Sequence, residues 1–208
     1  MKMNKIVDYL DSLFPNPKCE LNYHSDFELL MAIVLSAQST DKRVNQVMPY
    51  VLEKYPTLQL LKDANLHELE AIIRPVGSFR KKAAFLKGIA TILVEKHNGV
   101  VPKDREELIL MPGVGRKSAN VFLSEYYGEP AIAVDTHVER VSKRLGLVHS
   151  NDDVLKIEQK LMKKFPKSSW GRRHLQLLLF GRYYCKAINP LCKECALVDI
   201  CREKKKNC

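Results

Sequence analysis

The chain has 208 residues, 46% of them hydrophobic and 28% charged, which supports a folded core and excludes a disordered or low-complexity protein. No apolar run approaches the roughly 20 residues needed to cross a bilayer, and Met1 to Lys5 lead into an amphipathic pattern rather than a leader, so an intracellular protein with no membrane partner is expected. A formal net charge of +10 and a pI near 9.3 suit a partner rich in phosphate.

Ile6, Leu10, Leu13 and Phe14 recur at helical spacing until Pro15 and Pro17 stop the pattern, which predicts a short first helix. Ser25 with Glu28 reads as a capping box for Phe27 to Leu35, a run with no polar face and therefore a buried central helix. Further helices are predicted from about Asp41 to Lys54, from Leu66 to Ile73 behind an Asn65/Glu68 capping box, and from Phe79 to His97 before Asn98-Gly99. Arg74-Pro75 separates the last two. Asp104 caps a short helix to Met111, Pro112 to Gly115 break it, and a new helix runs from Arg116 to Tyr127 before Gly128. Asp135 caps a helix through Arg144, Asn151 or Asp152 opens another to Phe165, and a last long helix reaches about Cys185. Only Ala131 to Val134 has an extended character. The pattern predicts an all-α protein with a tight hairpin between two helices near its middle.

That hairpin carries chemistry. Gly113 and Gly115 let the backbone turn sharply and approach another surface closely. Val114 lies between them, and Arg116 opens a helix whose free N–H groups and positive dipole end favour an anion such as a DNA phosphate. Contact of this kind positions a duplex without reading its sequence.

Lys117 follows at once. It is either one more phosphate-binding charge or, if burial and a neighbouring cation lower its pKa from about 10.4 toward roughly 7 to 8, a nucleophile. Asp135 is by itself a helix N-cap. The two roles are compatible, because a capping aspartate is held in a fixed position.

Cys185, Cys192, Cys195 and Cys201 put four soft ligands in one short segment after the last helix, with Cys19 and Cys208 outside the spacing. In a reducing compartment this density points to metal rather than disulfides. A zinc ribbon usually offers two close pairs, and here there is one, which favours [4Fe-4S] over zinc.

At this point the chain resembles the endonuclease III family of helix-hairpin-helix DNA glycosylases. The carriers are Leu35 to Asp41, Val76-Gly77, Leu110 to Asn120, Ile132 to Val138, Gly181 to Tyr183 and the four-cysteine spacing, spread over nearly the whole length. The resemblance implies a two-domain helix-hairpin-helix fold with a C-terminal [4Fe-4S] loop and a DNA cleft between the domains. One is a six-helix domain, residues 20–129, containing the hairpin at about 108–127; the other joins residues 1–19 to 130–208 and holds the cluster.

The same resemblance implies a monomeric base-excision enzyme, cytoplasmic and associated with the nucleoid, acting on double-stranded DNA with damaged pyrimidines or abasic sites. It would remove oxidised pyrimidines through a lysine Schiff base and cut 3′ to the site by β-elimination. Lys117 matches the nucleophile, Asp135 the catalytic carboxylate, and Cys185, Cys192, Cys195 and Cys201 the cluster ligands. Gln38 and Ser78 stand where related enzymes insert side chains into the hole left by a flipped nucleotide. A leucine is common at the second position, and serine is too short to act as an apolar wedge.

Three other readings use only parts of this pattern. A mismatch adenine glycosylase shares hairpin and cluster but usually lacks the lysine and carries an additional C-terminal domain. A non-catalytic helix-hairpin-helix DNA-binding module needs neither Lys117 nor Asp135. An iron–sulfur electron carrier needs the cysteines but not the hairpin.

Overall fold

The computed structural model describes residues 2–208, and every regular element among them is helical. The chain divides into two compact units, Glu20–Tyr127 and a second made of Met1–Cys19 with Gly128–Cys208. Helix α1 (Lys2–Leu13) buries Ile6 and Leu10, one turn apart on a single face, and ends before Pro15.

The unit Glu20–Tyr127 is built around α2 (Asp26–Ser36), in which every residue from Leu29 to Leu35 is buried. Ser25 accepts from the Glu28 N–H at 3.4 Å, while Glu28 reaches back to the His24 N–H, one residue beyond the partner a capping box would give it. Thr40 caps α3 (Asp41–Lys54). Next comes α4 (Leu58–Lys62), a five-residue helix that the periodicity does not predict, opened by Thr57. Asn65 then accepts from the His67 and Glu68 N–H groups to start α5 (Leu66–Ile72). The 18-residue α6 (Phe79–Lys96) packs against α2, α4 and α5. It ends where the Gly99 N–H returns to the Leu93 carbonyl at 2.8 Å, with Gly99 at φ 79°. Two short elements follow, α7 (Arg105–Ile109), capped by Asp104, and α8 (Arg116–Tyr126), which packs on α2 and α7. With α4 this unit holds seven helices.

The second unit continues with α9 (Thr136–Arg144), α10 (Val154–Lys164), a 3-10 turn at Lys167–Ser169, α11 (Trp170–Tyr183) and another 3-10 turn at Cys192–Glu194. Its core joins α1 to the C-terminal segment through Ile6, Leu10, Val138, Val141, Ile157, Leu177, Phe180 and Leu197. A polar clamp adds direction to that apolar contact. Arg173 donates to both Asp11 carboxylate oxygens at 2.7 and 3.1 Å, and Gln176, fully buried, donates to Asp11 and to the carbonyls of Leu10 and Phe14. Those carbonyls belong to the end of α1, where helix carbonyls run short of N–H donors, although that of Leu10 also accepts from the Phe14 N–H at 2.9 Å.

Two local expectations change. Ala131 to Val134 are all buried but form no strand, because no neighbouring strand pairs with them among the described residues. Helix α10 is capped by Asp153, which accepts from the Lys156 N–H, rather than by Asn151 or Asp152. Asp152 is drawn away by the His149 N–H and by Lys160 Nζ, each at 2.7 Å.

Candidate functional site

Between α7 and α8 the chain makes a turn in which the Val114 N–H returns to the Met111 carbonyl at 3.1 Å. Pro112 takes the second position and Gly113, at φ 76°, the third, the residue pair that a type II turn demands. Gly113 is required twice over: a Cβ there would lie 2.5 Å from the Phe85 ring. Val114 turns its side chain inward, 5% exposed, and its N–H is bonded to the Met111 carbonyl, so its side chain anchors the hairpin.

Gly115 is glycine for another reason. Its φ of −98° and ψ of 175° suit any residue, and a Cβ would meet nothing within 4 Å. It forms the N-cap of α8 without a side-chain hydrogen bond, and no acidic residue lies in the first turn. Such a helix start presents backbone N–H groups and the positive dipole end to whatever approaches. Arg116 and Lys117, both exposed, open that first turn.

Asp135 belongs to the other unit. Its Oδ1 accepts from the N–H groups of His137 at 2.9 Å and Val138 at 2.8 Å, so one carboxylate oxygen caps α9. Helix α9 is itself seated on α11 at Gly181, where a Cβ would stand 2.8 Å from His137 Cβ. Arg140, which the sequence does not single out, holds the same seam. It donates to the Gly181 carbonyl at 2.8 Å and the Cys185 carbonyl at 3.1 Å, and lies 3.2 Å from His137 Nδ1.

Gln38 and Ser78 are exposed and share a backbone state uncommon outside glycine, φ 55° and φ 57°. Ser78 stands at the N-cap of α6 yet its hydroxyl makes no cap bond. The side chain is thus not committed to holding the helix.

All four cysteines of the C-terminal segment line one pocket, whose other walls include Leu145, Phe180, Leu191 and Val198. No group of three or more metal-type side chains closes to ligand geometry among the described residues. The donor set nevertheless fits a thiolate-bound group. Burial pushes the Cys185 thiol up, and Arg144, donating to its Sγ at 3.5 Å, pulls it back; Cys195 is also raised, first by burial. Each ionised sulfur in this pocket opposes the next, a repulsion that a bound cation or cluster relieves. The Glu203 N–H points at Cys201 Sγ at 3.5 Å, the kind of N–H···S contact that tunes cluster sulfurs. Lys186 and Lys193 are exposed beside it.

Residues 31–167 match the family model for the HhH-GPD superfamily base excision DNA repair protein. The chain is 46% identical over 200 residues to endonuclease III of Bacillus subtilis, covering 96% of this chain and 91% of that protein. It is 40% identical over 205 residues to endonuclease III of Escherichia coli, with 99% and 97% covered. A solved structure of a trapped endonuclease III–DNA covalent intermediate matches with a TM-score of 0.93 at 48% identity, over 98% of this chain and 96% of that one. A non-covalent endonuclease III–DNA complex matches over the same shares with a TM-score of 0.94.

Proposed function

The chain belongs to the endonuclease III family of the HhH-GPD superfamily, and from that membership we propose a DNA glycosylase that removes oxidised pyrimidines and then cuts at the abasic site as a lyase. The observation that carries this reading is Lys117, exposed in the first turn of α8 behind a helix start that no side chain caps. Phosphate held at Gly113 to Arg116 brings a nucleotide to an amine.

The partner is double-stranded DNA carrying a damaged pyrimidine or an abasic site, bound by a monomer in the cytoplasm, on the nucleoid. Gln38 and Ser78 enter the space that the displaced nucleotide leaves. Lys117 stands in water in the free protein, and the bound duplex is what brings the C1′ carbon within reach of its amine.

The unprotonated amine attacks C1′ as the glycosidic bond breaks, and the base leaves with that electron pair and takes up a proton. Nζ then loses a proton and the C1′–O4′ bond opens, with O4′ protonated, to give an imine between Nζ and C1′. The imine acidifies C2′; a C2′ proton departs, and the C3′–O3′ bond breaks with its electrons leaving on the 3′ phosphate. Hydrolysis of the imine frees the enzyme. Asp135 supplies the negative charge that balances the positive sugar as the base departs.

Cys185, Cys192, Cys195 and Cys201 hold a [4Fe-4S] cluster that folds the terminal loop and fixes Lys186 and Lys193 for phosphate contact. Iron and sulfide analysis of the purified protein tests this, with a brown colour expected. A colourless protein with stoichiometric zinc overturns it.

The lysine chemistry is tested by adding borohydride to the protein with duplex DNA containing an abasic site or thymine glycol. A covalent adduct is expected from the wild type and none from Lys117→Ala. Failure of the wild type to trap, or undiminished trapping by the variant, sinks the mechanism.

A further inference from the structure

Gln38 and Ser78 lie in different loops, and a single residue is bonded beside both, Lys82, by its backbone at Ser78 and by its side chain at Ala37. The Lys82 N–H donates to the Ser78 carbonyl at 3.1 Å and closes the first turn of α6. Its Nζ crosses to the end of α2, donating to the carbonyls of Leu35 at 2.8 Å and Ala37 at 2.6 Å, the latter just before Gln38. The loops also abut directly, since a Cβ on Gly77 would stand 3.3 Å from the Gln38 carbonyl oxygen.

Lys82 is 4% exposed, on a helix whose surface neighbours Lys81 and Ala84 are both exposed. Burying an ammonium is costly, and that cost lowers its pKa. What offsets the cost is the site chosen. The last carbonyls of α2 have no partners within the helix and sit at its negative dipole end. The helix's own C-cap bond, from the Ala37 N–H to the Val34 carbonyl, is long at 3.4 Å, so Lys82 does what a glycine-based cap does elsewhere. With the helix end tied this way, Gln38 is held at φ 55° without glycine.

We propose that Lys82 is a positioning residue that locks the Gln38 and Ser78 loops into one rigid platform for opening the base pair at a lesion. The proposal rests on the reading that these two loops enter the DNA. It places Lys82 at the opening step and not at the chemistry on C1′: the residue touches neither base nor sugar, and acts by keeping two strained backbones in register.

The experiment compares two substrates under single turnover, a thymine glycol paired within a duplex and an abasic site, which has no base to extrude. Lys82→Met keeps the length and apolar stem while removing the donors. About a tenfold loss of excision on the paired lesion is expected, with borohydride trapping at the abasic site close to wild type. A fluorescent adenine analogue opposite the lesion should brighten more slowly with the variant, a signal of opening that a merely structural role would not move. Equal losses on both substrates, or unchanged excision and unchanged opening, overturn the proposal. Lys82→Arg retains charge and donors and is expected to recover most of the paired-lesion rate, so the comparison stands even if Lys82→Met does not fold; Arg losing both activities equally overturns it as well. Gln38→Ala separates the two levels: if it opens and excises the paired lesion at the wild-type rate, the loop reading fails, whereas a slow Gln38→Ala beside a normal Lys82→Met sinks the lysine proposal alone.

Discussion

Gly181 and His137 are in such close contact that a Cβ on the glycine would stand 2.8 Å from His137 Cβ and 3.1 Å from the His137 carbonyl oxygen. The contact seats α9 on α11, and α9 begins at Asp135. Gly181→Ala is therefore expected to push α9 off its seat, with about 1–3 kcal/mol lost as in other overpacked cores. Asp135, the N-cap of α9, would move with it and slow excision; denaturant midpoints measure the lost stability and excision rates the displaced carboxylate. Normal stability in this variant would mean that α9 has room to shift.

Asp135 carries a cap and a charge, and two substitutions pull them apart. Asparagine caps helices about as well as aspartate, so Asp135→Asn should melt near the wild type while base removal falls steeply. Asp135→Ala loses the cap as well, at about 0.5–2 kcal/mol. Thermal melts beside single-turnover excision read the difference. A normal excision rate in the Asn variant would reduce Asp135 to a cap.

The two hairpin glycines should respond in opposite ways. Gly113→Ala meets both an unfavourable φ and the Phe85 ring and is expected to cost stability, on the order of 1–3 kcal/mol. Gly115→Ala meets open space at an ordinary backbone angle, so the fold should tolerate it. If Gly115 is small to admit a phosphate, its alanine variant will bind undamaged duplex more weakly with its melting temperature kept. Titration at several salt concentrations checks this.

Asp11 makes the second unit sensitive to acid. The Arg173 hydrogen bonds, ahead of the Gln176 bond, hold its carboxyl below the usual 3.8. A depressed folded-state pKa contributes stability that is complete above about pH 5 and is lost as pH falls through the folded value. Asp11→Asn should lose about 1.5–3 kcal/mol at neutral pH, the range for hydrogen bonds to charged groups. The gap between wild type and variant should narrow as pH falls through 3.8 and on through the lower folded value; a gap that is flat with pH would rule out the carboxylate as its source. Urea melts across this range give both curves.

Much of the fold was legible because helix starts are local chemistry. Asn65, Asp104 and Asp135 each cap the helix that their position announces. Helix α4 was not legible, because five residues are too few to show a period and Thr57 is its main signal. Asn151, Asp152 and Asp153 are all good caps, and Asp152 is taken out of the choice by the His149 N–H and Lys160, which the periodicity does not show. The hairpin could be read from its residues, but the different reasons for its two glycines could not, since Phe85 is distant in sequence. Gln38 and Ser78 gave no sign of their backbone angles because neither is glycine. Lys82 looked like any lysine on a helix; that its amine faces inward depends on where α2 ends.

The clamp between Asp11 and Arg173 also bears on the order in which the protein is made. Asp11 leaves the ribosome early, but its guanidinium partner is 162 residues away and is synthesised near the end. Residues 20–127 have their whole core in one continuous stretch and can fold while translation proceeds. Helix α1 must wait, its apolar face without a partner until α11 emerges. The first helix synthesised is thus among the last to find its place, and a ribosome stalled before Arg173 would hold a finished middle unit with an unattached N-terminal helix.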